Sequence, residues 1–145
     1  MSVEAFLDTN ILVYHLDDAD PTKHRVAERL VRSALETGNA CISFQVVQEC
    51  LNVGLRKARV PLDADTARRY LDTVLIPLWR VMPSDRLYHR GIELQARYGY
   101  GLYDSLIIAA AQEMSSSTLF SEDLQHGQVI DGLTITNPFL PGGAH

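Results

Sequence analysis

Apolar and polar positions along this chain alternate between two kinds of pattern, short solid apolar runs and longer stripes at helical spacing. Phe6-Leu7 forms the first run and ends at Asp8-Thr9-Asn10; beyond it Ile11, Leu12, His15 and Leu16 fall at helical spacing. Asp8 thus stands where a strand ends and a helix begins. Asp17-Asp18-Ala19-Asp20-Pro21 reads as a loop leading into a helix over Lys23–Thr37, striped by Val26, Ala27, Leu30, Val31, Ala34 and Leu35 and stopped by Gly38. Ala40–Ser43 suits a second buried strand, and Ser43 suits the cap of a helix from Phe44 to about Ala58. Asp63 caps a further helix to about Leu75, and Pro77 ends the connection before a third strand, Leu78–Met82. Ser84 opens a helix that Gly99 closes, and Leu102–Ala111 is a helix apolar nearly all round, which marks it as buried. Thr118–Ser121 gives a fourth strand, and Gln128–Ile135, broken at Asp131-Gly132, a turn and a last short strand. Strands alternating with helices predict an α/β layer fold with a mostly parallel sheet. One domain over residues 1–140 is expected, with a frayed tail at 141–145.

Composition narrows the class. Hydrophobic residues at 46% and charged ones at 21% are ordinary for a folded globular chain. The start, Met1-Ser2-Val3-Glu4, has no basic region or long apolar run of a signal peptide, and no apolar stretch is long enough to span a bilayer. Cys41 and Cys50 match no ligand spacing, which fits a reducing cytoplasm without a disulfide framework or zinc site. His15, His24, His89 and His126 show no ligand spacing either. The net charge of −5 conceals a division: every Lys and Arg lies between Lys23 and Arg97, while both flanks are acidic. A basic surface beside an acidic pocket suits a polyanion held near a carboxylate-bound cation, although solvated helix faces would give the same pattern.

The candidate chemistry lies in four acids. Asp8 and Asp123 follow strands, Asp104 opens the buried helix, and Glu49 sits among Val46, Val47, Cys50 and Leu51 on a helix that follows a strand. Each has a bland reading: Asp8 as a helix cap, Asp104 as a favourable charge in a first turn, Glu49 as an exposed polar-face residue. Right-handed connections nevertheless bring such positions to one edge of a parallel sheet, where ligands bind. Crowded carboxylates disfavour one another's charge, and a divalent cation is the natural compensator. An all-oxygen ligand set favours Mg²⁺ or Mn²⁺ over zinc. One or two such ions could bind a phosphodiester and activate water for in-line attack. The sequence offers no nucleophile beside a base and no phosphate-binding glycine loop.

FLDTNILVY, VVQECLNV, YGYGLYDSLIIAAA and LFSEDLQHG together resemble the four acidic motifs of PIN-domain ribonucleases, and more narrowly the VapC-type toxins of bacterial toxin–antitoxin pairs. The resemblance runs from Phe6 to Phe139. It implies an α/β/α sandwich, Mg²⁺- or Mn²⁺-dependent endoribonuclease activity, a homodimer, and silencing by a small antitoxin whose carboxyl-terminal segment occupies the active-site groove. The family's acidic positions fall on Asp8, Glu49, Asp104 and Asp123, with Asn10 as the polar residue of the first motif. Ser121 stands where the family usually has Thr. Because Glu122 adjoins Asp123, the choice between them rests on the family pattern. Arg56, Lys57, Arg68, Arg69 and Arg97 are candidates for RNA phosphates. Two rival readings are a phosphatase with an aspartyl nucleophile and a non-catalytic RNA- or protein-binding module. The first is disfavoured because Asn10 occupies the place of a second Asp, and the second because all four acids are present.

Overall fold

The computed structural model describes residues 2–141; the expected tail beyond Pro141 lies outside the described residues. In chain order the elements are β1 (Ala5–Leu7), α1 (Thr9–Leu16), α2 (Pro21–Thr37), β2 (Ala40–Ser43), α3 (Phe44–Arg56), α4 (Ala64–Tyr70), α5 (Ile76–Leu78) and β3 (Trp79–Val81). They continue with α6 (Asp85–Tyr98), α7 (Leu102–Glu113), β4 (Thr118–Phe120), β5 (Val129–Ile130) and β6 (Leu133–Thr136). The sheet order is β3-β2-β1-β4-β6-β5, parallel throughout except for the β5–β6 hairpin. Phe6 pairs with Cys41 on one side and Leu119 on the other, so β1 is central. Every residue of β1 and β2 is buried although successive side chains point to opposite faces, so both faces carry helices. The architecture is the expected three-layer α/β/α sandwich. Among the described residues, no helix is long and apolar enough to cross a membrane.

Local chemistry accounts for the element ends. Asp20 Oδ1 accepts the Lys23 N–H at 3.1 Å and Pro21 opens α2, while Gly38 closes it in the left-handed conformation. Ser84 and Gly99 do the same for α6. In α7 the seven consecutive residues Ser105–Ala111 are buried, as its all-round apolar pattern requires. It lies tight against α6: a Cβ on Gly91 would fall 2.6 Å from Leu106 Cδ2. The hairpin between β5 and β6 turns on Asp131 and Gly132, both at positive φ, the geometry of a two-residue turn matching strand twist.

Most element ends fall within a residue or two of the sequence expectation, and one differs for a structural reason. The helix expected to run to about Leu75 continues in helical turns through Leu78, so that Pro77 lies inside it and not in a connection after it. A π-helical turn, Leu71–Leu75, absorbs the proline: the Ile76 N–H reaches back to the Leu71 carbonyl, and the short α5 follows. Pro77 has no N–H to give to the preceding turn, and a local widening lets the chain continue regardless.

Candidate active site

The parallel strands β1, β2 and β4 deliver their carboxyl ends to one edge of the sheet, and the acids gather there. Asp8 is both the cap of α1 and a member of this cluster. It is 5% exposed. Its Oδ1 accepts the Thr9 N–H and its Oδ2 the Ser121 hydroxyl, each at 2.7 Å. Ser121 is itself fixed from behind, where its Oγ accepts the N–H groups of Asp123 (3.2 Å) and Leu124 (3.4 Å). The hydroxyl at position 121 therefore orients one acid while shaping the turn that carries another.

Two further hydrogen bonds knit the segments together. The Thr9 hydroxyl donates to Glu49 Oε1 at 2.6 Å, linking α1 to α3. Gln45 donates to Glu49 Oε2 at 3.4 Å and to the Tyr103 carbonyl at 3.0 Å, tying α3 to the first turn of α7 beside Asp104. Asn10 works in both directions: its Nδ2 donates to Asp123 Oδ2 and its Oδ1 accepts the Glu122 N–H, each at 3.2 Å. The result is an open cleft of about 550 Å³ whose lining includes Asp8, Asn10, Glu49, Asp104, Asp123 and Lys57. A smaller cavity of about 300 Å³ lies between α2 and the sheet, lined by Leu7, Leu30 and Phe120 among others, with Glu4 as its sole acid. Chemistry therefore favours the cleft.

The cleft carries unbalanced negative charge. Burial pushes the Asp8 carboxyl up to about 6; its hydrogen bonds from Ser121 and Thr9 oppose that rise, and the charges of Asp123 and Asp104 add to it. Asp104 is also raised, by burial first and then by Asp123 and Glu49. The donors are all oxygen, as a hard divalent cation prefers. Among the described residues no group of three or more His, Cys, Asp or Glu side chains is already gathered at metal-holding distance. The carboxylate oxygens of Asp8, Glu49 and Asp123 accept hydrogen bonds from Thr9, Ser121, Gln45 and Asn10. The donor chemistry and the charge imbalance both fit a cation.

Of the basic candidates, Lys57, at the end of α3, lines the cleft; Arg56, Arg68, Arg69 and Arg97 do not. Arg68 pairs with Asp65 at 2.8 Å and Arg97 lies over the Tyr98 ring. Thr9, Gln45 and Tyr14 belong to the site's surroundings but were not singled out by the sequence. Thr9 carried a signal in its position between Asp8 and Asn10; Gln45, one helical turn before Glu49, carried none of its own. Tyr14 donates to Glu122 Oε1 at 2.6 Å, and Glu122 is also paired with Lys23. The Lys23 hydrogen bond to Glu122, before any other influence, pushes the Lys23 ammonium up to about 12.

This arrangement of acids at the carboxyl edge of a β3-β2-β1-β4 core can be set beside known proteins. The PIN domain family profile matches residues 5–130. The chain belongs to the PIN-domain family. Among solved structures, this PIN domain is similar to Mycobacterium tuberculosis VapC20, a sarcin-ricin loop cleaving toxin, at 19% identity and a TM-score of 0.64, over 83% of this chain and 90% of that one. It is similar to a toxin–antitoxin complex from Klebsiella pneumoniae at 22% identity and a TM-score of 0.65, over 90% and 96% of the two chains. DNA-bound VapBC from Salmonella typhimurium is 20% identical with a TM-score of 0.61, over 92% and 96%. At these identities the likeness shows a shared fold. Among curated proteins, none matches the sequence.

Proposed function

We propose that this PIN domain is a divalent-metal-dependent endoribonuclease and the toxin of a toxin–antitoxin pair. The observation that carries the reading is the convergence of Asp8, Glu49, Asp104 and Asp123, from four separate segments, on one open cleft. Isolated helix caps would have no reason to meet. The toxin assignment is supported by solved structures of the same fold that are toxins or toxin–antitoxin complexes. On this reading the protein acts in the cytoplasm, as a homodimer, and is silenced when a small antitoxin's carboxyl-terminal segment enters the cleft.

Asp8, Asp104, Asp123 and Glu49 would hold Mg²⁺ or Mn²⁺. When bound, such an ion supplies Lewis-acid stabilisation of the phosphodiester and lowers the pKa of attacking water. The chain's own residues do the positioning. Ser121 and the Thr9 N–H hold both oxygens of Asp8 in one orientation. Thr9 and Gln45 aim Glu49, and Asn10 aims Asp123. Lys57 is placed to attract a substrate phosphate to the acidic cleft, where backbone recognition requires a cation but no base reading. Arg56, Arg68, Arg69 and Arg97 are left for flanking backbone at most.

The test is cleavage of a mixed cellular RNA pool by purified protein with Mg²⁺, Mn²⁺ or chelator, alongside Asp8→Asn and Asp104→Asn. Discrete, metal-dependent products from the wild type alone are expected. Equal cleavage by both variants would refute the assignment of the site. Release of inorganic phosphate from monoesters without RNA cleavage would favour a phosphatase instead.

A further inference from the structure

Two consecutive acids follow β4, and both line the cleft: Glu122 and Asp123. The structure treats them differently. Asp123 is exposed, with Oδ2 bonded to the Asn10 amide. Both oxygens of Glu122 are occupied away from the other acids: Oε1 accepts the Tyr14 hydroxyl at 2.6 Å, and Oε2 is paired with the Lys23 ammonium. Lys23 is held in turn by more than its charge. Its Nζ donates to the Tyr14 hydroxyl at 3.3 Å and lies 5.0 Å from the centroid of the Tyr14 ring and 5.7 Å from that of Phe139. Tyr14 and Phe139 meet edge to face at 5.0 Å. The ammonium thus sits in a small aromatic corner formed by α1 and the carboxyl-terminal segment, facing one carboxylate. The pair is only partly exposed, 33% for Lys23 and 22% for Glu122.

We propose that Lys23 and Tyr14 act as a latch that withholds Glu122 from the cation site, so that the cleft presents four carboxylates to a divalent ion and not five. Lys23 is a positioning residue acting through Glu122, and the aromatic corner holds it in place. A fifth carboxylate would add ligand charge, tighten the ion and crowd out the waters that a hydrolytic Mg²⁺ site retains. The latch also explains chemically why Asp123, and not its neighbour, is free to serve. This inference rests on the cation-binding reading of the cleft given above.

The test is a double-mutant cycle on Mn²⁺ affinity, measured by calorimetry or electron paramagnetic resonance of free Mn²⁺, with no RNA present. In the wild-type background Glu122→Gln is expected to change the dissociation constant less than about twofold, because Glu122 is no ligand there. With Lys23→Met the freed carboxylate joins the ion, affinity rises roughly fivefold, and Glu122→Gln now abolishes that gain. Lys23→Arg, which keeps the pair, should behave as wild type. If the latch is absent and Lys23 and Glu122 act only through fixed charge, the effect of Glu122→Gln is the same in both backgrounds. Additivity therefore overturns the proposal, as does a loss of affinity on Glu122→Gln in the wild type as large as that of Asp123→Asn. Should Lys23→Met not fold, Tyr14→Phe removes the other tie and carries the same non-additivity at smaller amplitude. Failure of the wild type to bind Mn²⁺ at all is a separate outcome, and it would refute the cation-binding reading itself.

Discussion

Replacing Asp8 by Asn should make the protein progressively more stable relative to wild type as pH rises toward neutrality, while removing the proposed cleavage activity. Asp8 is 5% exposed, and burial raises its carboxyl from 3.8 to about 6 in the folded chain. The folded state therefore binds this proton more tightly than the unfolded state does. The stability Asp8 contributes is fully present below about pH 4 and is lost as pH rises through 6. At about 1.4 kcal/mol per pH unit, that interval corresponds to roughly 3 kcal/mol. Asn cannot ionise, and its carbonyl can still accept the Thr9 N–H, while the Ser121 contact becomes a neutral one. The stability of Asp8→Asn relative to wild type should thus increase by about 2–3 kcal/mol between pH 4 and pH 7.5, whatever fixed offset the altered hydrogen bonds introduce. In a domain of this size that is a relative gain on the order of 8 °C in Tm. Urea denaturation of both proteins in chelator across that range gives the difference directly. Saturating Mn²⁺ should then restore much of the wild-type deficit and leave the variant unmoved, since binding to the native state stabilises it by mass action. A difference that stays constant with pH would refute the claim that Asp8 is a buried, charge-frustrated acid.

Other consequences follow from the same geometry. Ser121→Ala removes the hydroxyl that holds Asp8 Oδ2, so the Asp8 carboxyl should rise further and the lower limb of the pH–rate profile should move to higher pH; an unshifted limb with reduced activity would make Ser121 merely structural. Lys57→Ala should raise KM for RNA several-fold with little change in kcat, with a shallower salt dependence of binding, whereas Arg97→Ala should alter neither; steady-state kinetics at two salt concentrations distinguishes them. Gly91→Ala forces a methyl toward Leu106 where α6 meets α7, and it should cost about 1–3 kcal/mol in urea denaturation.

The fold was legible because its pattern is locally consistent. The solid run at Phe6-Leu7, the stop at Gly38, the caps at Ser84 and Gly99, and the all-round apolar α7 each declare their element without help from distant residues. The segment around Pro77 ran on past its expected end because a π turn at Leu71–Leu75 accommodates the proline, a backbone adjustment that residue propensities do not announce. The candidate site was legible to the extent that its acids sit at strand ends or open a helix. Asp8 and Asp104 are marked by their elements and Glu49 by apolar neighbours that leave an acid conspicuous, whereas the choice of Asp123 over Glu122 rests on the family pattern alone. What holds those acids was not legible. Gln45 bridges Glu49 and the Tyr103 carbonyl across 58 residues of chain, and Tyr14 meets Glu122 across 108. Such partners depend on which helices the sheet order brings together. The division of labour between Glu122 and Asp123 is likewise a matter of what faces each carboxylate, and the sequence says only that the two are adjacent.

If Asp8, Glu49, Asp104 and Asp123 form one cation site, Mn²⁺ binding must depend on them together. Calorimetric titration of the wild type, Asp8→Asn, Glu49→Gln, Asp104→Asn and Asp123→Asn should show binding by the wild type and at least tenfold weaker binding by the Asp8 and Asp104 variants, with all five proteins folded. Equal Mn²⁺ affinity in all five, or no binding by folded wild type, would mean that these carboxylates do not form a cation site.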